Sequence, residues 1–165
     1  MADEQSKLVI TLESGIVEID LLEDVAPQHV ARIKMLAGDG AYDGVVFHRV
    51  IDGFMAQTGD VQHACKDRDY NPGRAGTGGS SHPDLPAEFS NLPFDRGVCG
   101  MARSQMPNSA NSQFFIMFDD GHFLNGQYTV WGRVSKGMEH VDAITRGEPP
   151  ANPDHMVTVR VEDAS

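Results

Sequence analysis

Hydrophobic positions near the amino terminus follow first a strand pattern and then a helix pattern. Residues 7–22 contain two runs rich in β-branched residues, KLVITL and IVEIDL, separated by the short connection ESG. Such a pair of runs predicts a β-hairpin. Pro27 suits the first turn of a helix, and apolar residues then recur at helical spacing at Val30, Ile33 and Ala37. With Gly38 as the stop, the pattern predicts an amphipathic helix over residues 27–37.

Further along the chain, six more runs have the composition of strands. They are VVFHRV (45–50), FMAQTG (54–59), GVCGMA (97–102), SQFFIMF (112–118), QYTVWGRV (127–134) and MVTVRV (156–161). The first two are joined at Asp52-Gly53, a strong turn pair. A second helix is predicted after Ser135, which can cap it, and Gly147 ends it. Its apolar stripe is Met138, Val141 and Ile144.

The order of these elements favours one class of fold. Strands do not alternate with helices, so a doubly wound parallel sheet is disfavoured. About eight mainly antiparallel strands are accommodated most economically by a closed barrel, because closure leaves no exposed sheet edge. We therefore predict a mainly β fold, a closed eight-stranded antiparallel β-barrel with two α-helices capping its ends. Residues 1–165 are predicted to form a single domain.

Composition narrows the choice of partners and compartment. The 165 residues carry 13 basic and 24 acidic side chains, a formal charge of −11. This acidity disfavours binding to nucleic acid or to anionic membranes. Cys65 and Cys99 are too few for a disulfide framework. The amino terminus has no signal-peptide pattern, and no apolar run approaches the roughly 18 residues of a spanning helix. We expect a cytoplasmic protein, with monomer as the default state.

A search for familiar catalytic motifs finds none. The seven histidines include no HExxH pair, and His63 with Cys65 is too small a cluster for zinc. The glycine-rich RAGTGGS lacks the Lys-Ser/Thr of a phosphate-binding loop. No Gly-x-Ser-x-Gly segment supports a nucleophilic serine. We therefore predict neither a metal nor a cofactor.

Two segments remain unusual, namely residues 47–60 and 112–116. On a strand, Gln113 and Phe115 share one face, while Phe114 and Ile116 share the other. If the second face fills the barrel, the first carries an exposed aromatic, and with Arg49 nearby that suggests a binding groove. The alternative is that Phe54, Met55 and Phe115 all belong to the core and that Arg49 only extends past them. From the pattern alone we favour the core interpretation.

The first of these segments, FHRVIDGFMAQTGD, resembles the FHR-x-I-x-GFM-x-Q-x-GD signature of cyclophilins, a class of peptidyl-prolyl cis/trans isomerases. The resemblance continues through GTGG (76–79), GVCGMA (97–102), SQFFIMF (112–118) and FLNGQYTVWGRV (123–134). It covers nearly the whole chain in order and looks most like a bacterial cytoplasmic member. It implies a protein that rotates X–Pro bonds in proline-containing peptides and folding proteins, without a cofactor.

The resemblance also assigns roles to individual positions. Arg49 matches the catalytic arginine, and Gln57 matches the glutamine that orients it. The pocket for the proline ring corresponds to Phe54, Met55, Phe115 and Leu124. Gln113 lines the adjacent groove, and the backbone that pairs with bound peptide corresponds to Ala102 and Arg103. A secondary pocket, for the residues that precede proline, corresponds to Thr77, Ser104 and Ser109.

Two positions depart from the familiar pattern. Phe123 stands where cyclosporin-sensitive members usually carry tryptophan, and Tyr128 stands where histidine is common. Both positions still line the substrate site in the resemblance. Phe123 lacks an indole N–H, so we expect weakened binding of cyclosporin-type ligands and retained isomerase activity.

Two rival functions stay open. One is a binding module, a proline-peptide receptor or chaperone whose groove matters more than its turnover. The other is a structural or small-molecule-binding barrel, which only the strand pattern supports. The presence of both Arg49 and Gln57 favours the enzyme.

Overall fold

The computed structural model describes residues 6–67 and 70–162. Both ends of the predicted domain, residues 1–5 and 163–165, lie outside the described residues. The strands are β1 (Lys7–Thr11), β2 (Ile16–Leu21), β3 (Arg49–Ile51), β4 (Met55–Thr58), β5 (Val98–Met101), β6 (Phe114–Met117), β7 (Val130–Lys136) and β8 (Thr158–Glu162). The α-helices are α1 (Pro27–Gly38) and α2 (Met138–Asp142), and a 3₁₀ turn covers His122–Leu124. The amino-terminal hairpin and the first helix are thereby confirmed.

Within the described residues, all eight strands belong to one sheet of order β3-β4-β6-β5-β7-β2-β1-β8, and each pairing is antiparallel. The sheet curls into a half-barrel, so the prediction of a closed barrel is wrong in that respect. The reason lies at β3, which has only three residues. Its outer edge pairs with Gly147 rather than with β8, since Val50 and Gly147 exchange two backbone hydrogen bonds of 2.8 Å.

The second helix differs from its prediction at both ends. Ser135 lies within β7, where its hydroxyl donates to Glu18 O at 3.3 Å, and it caps no helix. The turn into α2 is made instead by Gly137, with φ of +88°. A side chain on Gly137 would collide with the carbonyl of Ile16, so only glycine suits this position. The helix ends at Asp142, well before the predicted stop at Gly147.

The side chains of the sheet form two hydrophobic clusters, one inside the half-barrel and one outside it. Inside, Trp131 and Tyr42 both meet the ring of Phe114 edge-on, at centroid distances of 5.2 and 5.5 Å. The outer cluster contains Leu22, Met55, Phe94, Val98, Phe115, Met117, Leu124 and Val130. Phe115 is only 5% exposed, which agrees with the favoured core interpretation of this residue, although it packs in the outer cluster rather than in the inner one. Consecutive phenylalanines of β6 therefore serve two separate cores, as strand alternation requires.

The helices complete the packing around the sheet. The buried face of α1, which includes Val30, Ile33 and Leu36, joins the inner cluster, and α1 packs against β8. The shorter α2 packs against β2. No helix in the described ranges has both the length and the apolar character that crossing a bilayer requires.

Candidate active site

Three neighbouring strands bring the two predicted catalytic residues and one predicted pocket residue together on the outer face of the half-barrel. Arg49 on β3 pairs in register with Gln57 on β4, and Gln57 pairs in turn with Phe115 on β6. Residues directly opposite each other on antiparallel strands present their side chains on the same face. The three side chains therefore form a row, although they are distant in the chain.

This row borders a cavity of about 130 Å³ with an apolar floor. Met55, Phe115 and Leu124 are buried in the floor, and Phe54 is half-buried beside them. The other lining residues are Arg49, Gln57, Ala102, Arg103 and Tyr128. Such a pocket, apolar with a few converging polar groups, suits a compact apolar group attached to a polar backbone.

Aromatic neighbours fix the orientation of Phe115. Its ring stacks on Phe94 at a centroid distance of 5.8 Å and meets Tyr128 edge-on at 5.8 Å. Gly100 on β5 is its partner in register. A Cβ atom on Gly100 would lie 2.6 Å from both the Phe94 and Phe115 rings. The glycine therefore provides the space in which this stack forms.

A chain of hydrogen bonds leads away from the guanidinium at the cavity. Arg49 Nη1 donates to Gln57 Oε1 at 3.4 Å, and Gln57 Nε2 donates to Gln113 Oε1 at 3.0 Å. Gln113 Nε2 then donates to the carbonyl of Gly78 at 2.8 Å. Each amide is thus held by the next group, so the position of Arg49 depends on the loop that contains Gly78.

The carboxylate of Asp60 shapes that loop. This fully buried side chain accepts hydrogen bonds from the backbone N–H groups of Gly76 and Gly78 at 2.8 and 3.0 Å. It also accepts from the N–H groups of Gln62 and His63 at 3.0 and 2.9 Å. Four donors compensate the cost of burying the charge. The irregular segment after β4 is therefore ordered around one acidic side chain.

A second, more polar cavity of about 260 Å³ adjoins the first. Its lining residues are Gln57, Gly76, Thr77, Gly78, Ala102, Arg103, Ser104, Ser109, Asn111, Ser112 and Gln113. The three residues predicted for a secondary pocket are thus brought to one cavity. Ser109 reaches it through a tight loop, in which its hydroxyl accepts from the Ser104 N–H at 2.9 Å and donates to Met106 O at 2.6 Å.

Arg103 lines both cavities and is held firmly between them. Its guanidinium lies 4.5 Å from the centroid of the Tyr128 ring. It donates to the carbonyl of Gln127 through Nε and Nη2, and to the carbonyl of Ser104 through Nη1 at 2.9 Å. Stacking and three hydrogen bonds fix a positive charge where the two cavities meet.

Phe123 lies at the margin of the site. Its side chain is 72% exposed, and its ring stands 5.5 Å from that of Phe54, tilted by 40°. It lines neither of the two cavities. Its predicted contact with substrate therefore concerns the rim rather than the floor.

His48, next to the catalytic candidate, is buried in the neutral form. Burial lowers its pKa to about 4, although the nearby Asp60 carboxylate raises it and the Arg49 guanidinium lowers it further. At neutral pH it therefore adds no second positive charge beside Arg49. His48 lies in the FHR segment that carries part of the resemblance, but only the fold shows that its ring is buried.

One group of potential metal ligands occurs in the described part of the chain, away from these cavities. The ligand atoms of Asp95, Asp120 and His122 lie within 4.8 Å of one another, and all three residues are exposed. Asp95 binds His122 Nε2 at 2.7 Å, which raises the pKa of that histidine. Asp120 accepts from the N–H of Arg96 at 2.9 Å. These groups already have partners within the protein, and exposed acidic clusters of this kind are common.

Comparison with known proteins now identifies the family. The family model described as "Cyclophilin type peptidyl-prolyl cis-trans isomerase/CLD" matches residues 7–165. The chain belongs to the cyclophilin family. A probable peptidyl-prolyl cis-trans isomerase of Brucella suis is 57% identical over 166 residues, which cover 98% of this chain and 85% of that protein. Peptidyl-prolyl cis-trans isomerase B of Bacillus subtilis is 36% identical and is matched over 92% of this chain and 94% of its own length.

Solved cyclophilin structures have the same fold. Cyclophilin AquaCyp293 from Hirschia baltica superposes with a TM-score of 0.79 at 28% identity, covering 93% of this chain and 72% of that one. A cyclophilin-type isomerase of Cryptosporidium parvum, crystallised in the presence of the dipeptide Ala-Pro, gives a TM-score of 0.81 at 24% identity. It covers 95% of this chain and 99% of its own.

Membership of the cyclophilin family thus agrees with the resemblance seen in the sequence. All the predicted site residues except Phe123 line one of the two cavities. Their individual roles stay predictions. The cavity residues that sequence reasoning missed are Gly76, Gly78, Asn111 and Ser112. The two glycines lie in the GTGG segment that carries part of the resemblance, whereas no local signal marks Asn111.

Proposed function

We propose that this cyclophilin catalyses cis–trans isomerisation of X–Pro peptide bonds, with the proline ring in the apolar cavity and Arg49 facing the reacting amide. The observation that carries the proposal is the row of Arg49, Gln57 and Phe115 across three strands, which sets one guanidinium beside an apolar floor. The crystallisation of the Cryptosporidium parvum relative with Ala-Pro supports a proline-containing ligand.

The chemistry required is electrostatic rather than covalent. Rotation about a peptide bond costs about 18–20 kcal/mol, because the nitrogen lone pair is delocalised into the carbonyl. In the twisted transition state the prolyl nitrogen becomes pyramidal and recovers that lone pair. An N–H donor directed at this nitrogen stabilises the twisted state more than the planar one, which is the condition for catalysis. No bond is broken, so the reaction needs no nucleophile.

Arg49 suits this role, and its neighbours support it. A guanidinium stays charged at all relevant pH values and offers several donors in one plane. Gln57 accepts from Nη1 at 3.4 Å and is itself held by Gln113. The buried floor excludes water below the ring, and exclusion of water strengthens the field of the charge above it.

The decisive experiment compares Arg49→Ala with the wild type in a proline-isomerisation assay. Loss of one preorganised donor to a transition state costs about 10²–10³ in rate, so we expect kcat/KM to fall by at least about a hundredfold. Arg133→Ala is the matched control, because Arg133 is an exposed arginine on β7 that lines neither cavity. Near-wild-type turnover in Arg49→Ala would refute the mechanism.

The same assay separates catalysis from binding alone. A receptor for proline peptides would bind a proline-containing tetrapeptide but leave the rate of its cis–trans exchange unchanged. Peptide affinity and exchange rate are therefore measured on one preparation, by titration and by two-dimensional exchange NMR. Binding without acceleration would favour the receptor.

We further propose that its substrates include proline-containing segments of folding proteins in the cytoplasm. Cys65 and Cys99 are both buried, free thiols, as is usual in a reducing compartment. Cell fractionation tests the location, and refolding of a client with a slow proline step tests the role. Sedimentation tests the expected monomeric state.

A further inference from the structure

A carboxylate that no motif singles out lies beside the proposed catalytic arginine. Glu148 Oε1 is 3.4 Å from Arg49 Nε, while Gln57 Oε1 is 3.4 Å from Nη1 of the same guanidinium. Resting on the proposed function of Arg49, we infer that Glu148 is a positioning residue that fixes the plane of this guanidinium from the side opposite Gln57.

The backbone holds Glu148 in place by a mechanism independent of its side chain. The preceding residue, Gly147, exchanges two hydrogen bonds of 2.8 Å with Val50, the residue after Arg49 on β3. Gly147 has φ of +148°, and a Cβ there would lie 2.5 Å from the Cα of Pro150. Only glycine suits that conformation. The segment that pairs with the outer edge of β3 therefore places the carboxylate of Glu148 beside Arg49.

A second anchor lies at the residue immediately before Gly147. Arg146 Nε donates to Asp52 Oδ1 at 3.1 Å, in the turn between β3 and β4. Its Nη1 donates to the carbonyls of Asp142 and Ile144 at 2.6 and 2.7 Å, and its guanidinium lies 4.1 Å from the Phe118 ring centroid. With Arg146 and Gly147 both fixed, the approach of Glu148 to Arg49 is built into the fold.

The chemical effect of the contact follows from which nitrogens it uses. Arg49 has Nε bound to Glu148 and Nη1 bound to Gln57, whereas Nη2 has no hydrogen-bond partner among the described residues. Two acceptors on different nitrogens restrict rotation of the planar group, and the remaining N–H groups stay available to a substrate. Both members of the ion pair are about half exposed, and exposed pairs stabilise a fold little. The contact therefore matters for the geometry of Arg49 rather than for stability.

Substitutions at Glu148 separate the effect of the hydrogen-bond acceptor from the effect of the negative charge. Glu148→Ala removes both, and we expect kcat to fall about three- to tenfold with KM changed less than twofold. Glu148→Gln keeps an oxygen that accepts the Nε–H, so it should retain at least half of the wild-type kcat. Glu13→Ala is the control, because Glu13 is an exposed glutamate in the β1–β2 turn and its loss changes the net charge equally.

A spectroscopic measurement tests the contact directly. The ¹⁵N–¹H signal of Arg49 Nε should exchange faster with water in Glu148→Ala than in the wild type and Glu148→Gln, whose exchange rates should be similar. Unchanged exchange and unchanged kcat in Glu148→Ala would overturn the inference. A more active Glu148→Ala would also overturn it, because Glu148 would then compete with substrate. If Arg49→Ala itself keeps full activity, the proposed catalytic role of Arg49 fails; if only Glu148→Ala does, this inference alone fails.

Discussion

Gly100→Ala should close the proline-ring cavity from below without touching any group that contacts the reacting amide. Gly100 lies on β5 beneath the stacked rings of Phe94 and Phe115. A Cβ on this residue would be 2.6 Å from the nearest carbon of each ring. Unstrained carbon contacts are about 3.5–4.0 Å, so each of the two contacts falls short by roughly 1 Å.

Only one of the two rings borders open space. Phe94 is fully buried, whereas Phe115 borders the cavity of about 130 Å³. The added methyl group should therefore push Phe115 into the space reserved for the substrate. Overpacking of this kind costs about 1–3 kcal/mol of stability, and a misplacement of about 1 Å near a reacting group can cost up to a hundredfold in rate. We expect kcat/KM to fall at least about tenfold, mainly through KM.

The assay combines turnover with denaturation. Isomerisation of a proline tetrapeptide gives kcat/KM, and urea unfolding gives the change in the free energy of unfolding. Gly38→Ala is the matched control, because a Cβ on Gly38, at the end of α1, meets nothing within 4 Å. That control should keep its activity and be as stable as the wild type or slightly more stable.

One result would refute the reasoning behind this prediction. If Gly100→Ala folds with wild-type stability and keeps its full kcat/KM, the two rings can relax without narrowing the cavity. The aromatic stack would then not be the support of the proline site. Circular dichroism on the same sample distinguishes this outcome from a variant that fails to fold.

Two further predictions concern acid stability and inhibitor binding. The pKa of His48 is about 4 in the fold, against 6.5 ordinarily, so the unfolded chain binds the proton more tightly. Stability contributed by the neutral ring is therefore complete above pH 6.5 and falls as pH drops towards 4, by up to roughly 3 kcal/mol. Urea titrations of His48→Gln should show a flatter pH dependence; an unchanged slope would contradict the assignment. Phe123→Trp adds an indole N–H at the rim and should tighten cyclosporin binding at least several-fold, whereas Met35→Trp on α1 should not. If cyclosporin inhibits the wild type and Phe123→Trp equally, the missing indole N–H is not the cause of weak binding.

The local elements were predictable because their signals are local. Alternation of apolar residues in 7–22 and helical spacing in 27–37 depend only on near neighbours, and both elements form where expected. The cavity residues were predictable for a different reason. A short segment such as FHRVIDGFMAQTGD is matched as a whole to its family, so Arg49 and Gln57 are identified without any knowledge of their surroundings.

Errors arose wherever a residue's environment depends on distant parts of the chain. Ser135 has the composition of a helix cap, yet β7 pairs with β2 past this point, so the serine stays in the strand. Phe115 is buried, in agreement with the favoured core interpretation, but it packs in a second cluster on the other face of the sheet that no local pattern revealed. Alternation specifies on which side of the sheet a residue lies and does not specify what packs there.

The sequence by itself determined the first hairpin, the first helix, the family and the residues proposed for catalysis, because periodicity and motif are written in consecutive positions. It also located the later strands approximately, but the strand predicted at 45–50 is reduced to Arg49–Ile51 in the structure. The tertiary structure alone decided that the sheet stops short of closing, since the edge of β3 bonds to Gly147 rather than to β8. That same pairing brings Glu148 to Arg49 across 99 positions of chain. No local pattern encodes such a contact, because it depends on hydrogen bonds between backbones that meet only after folding.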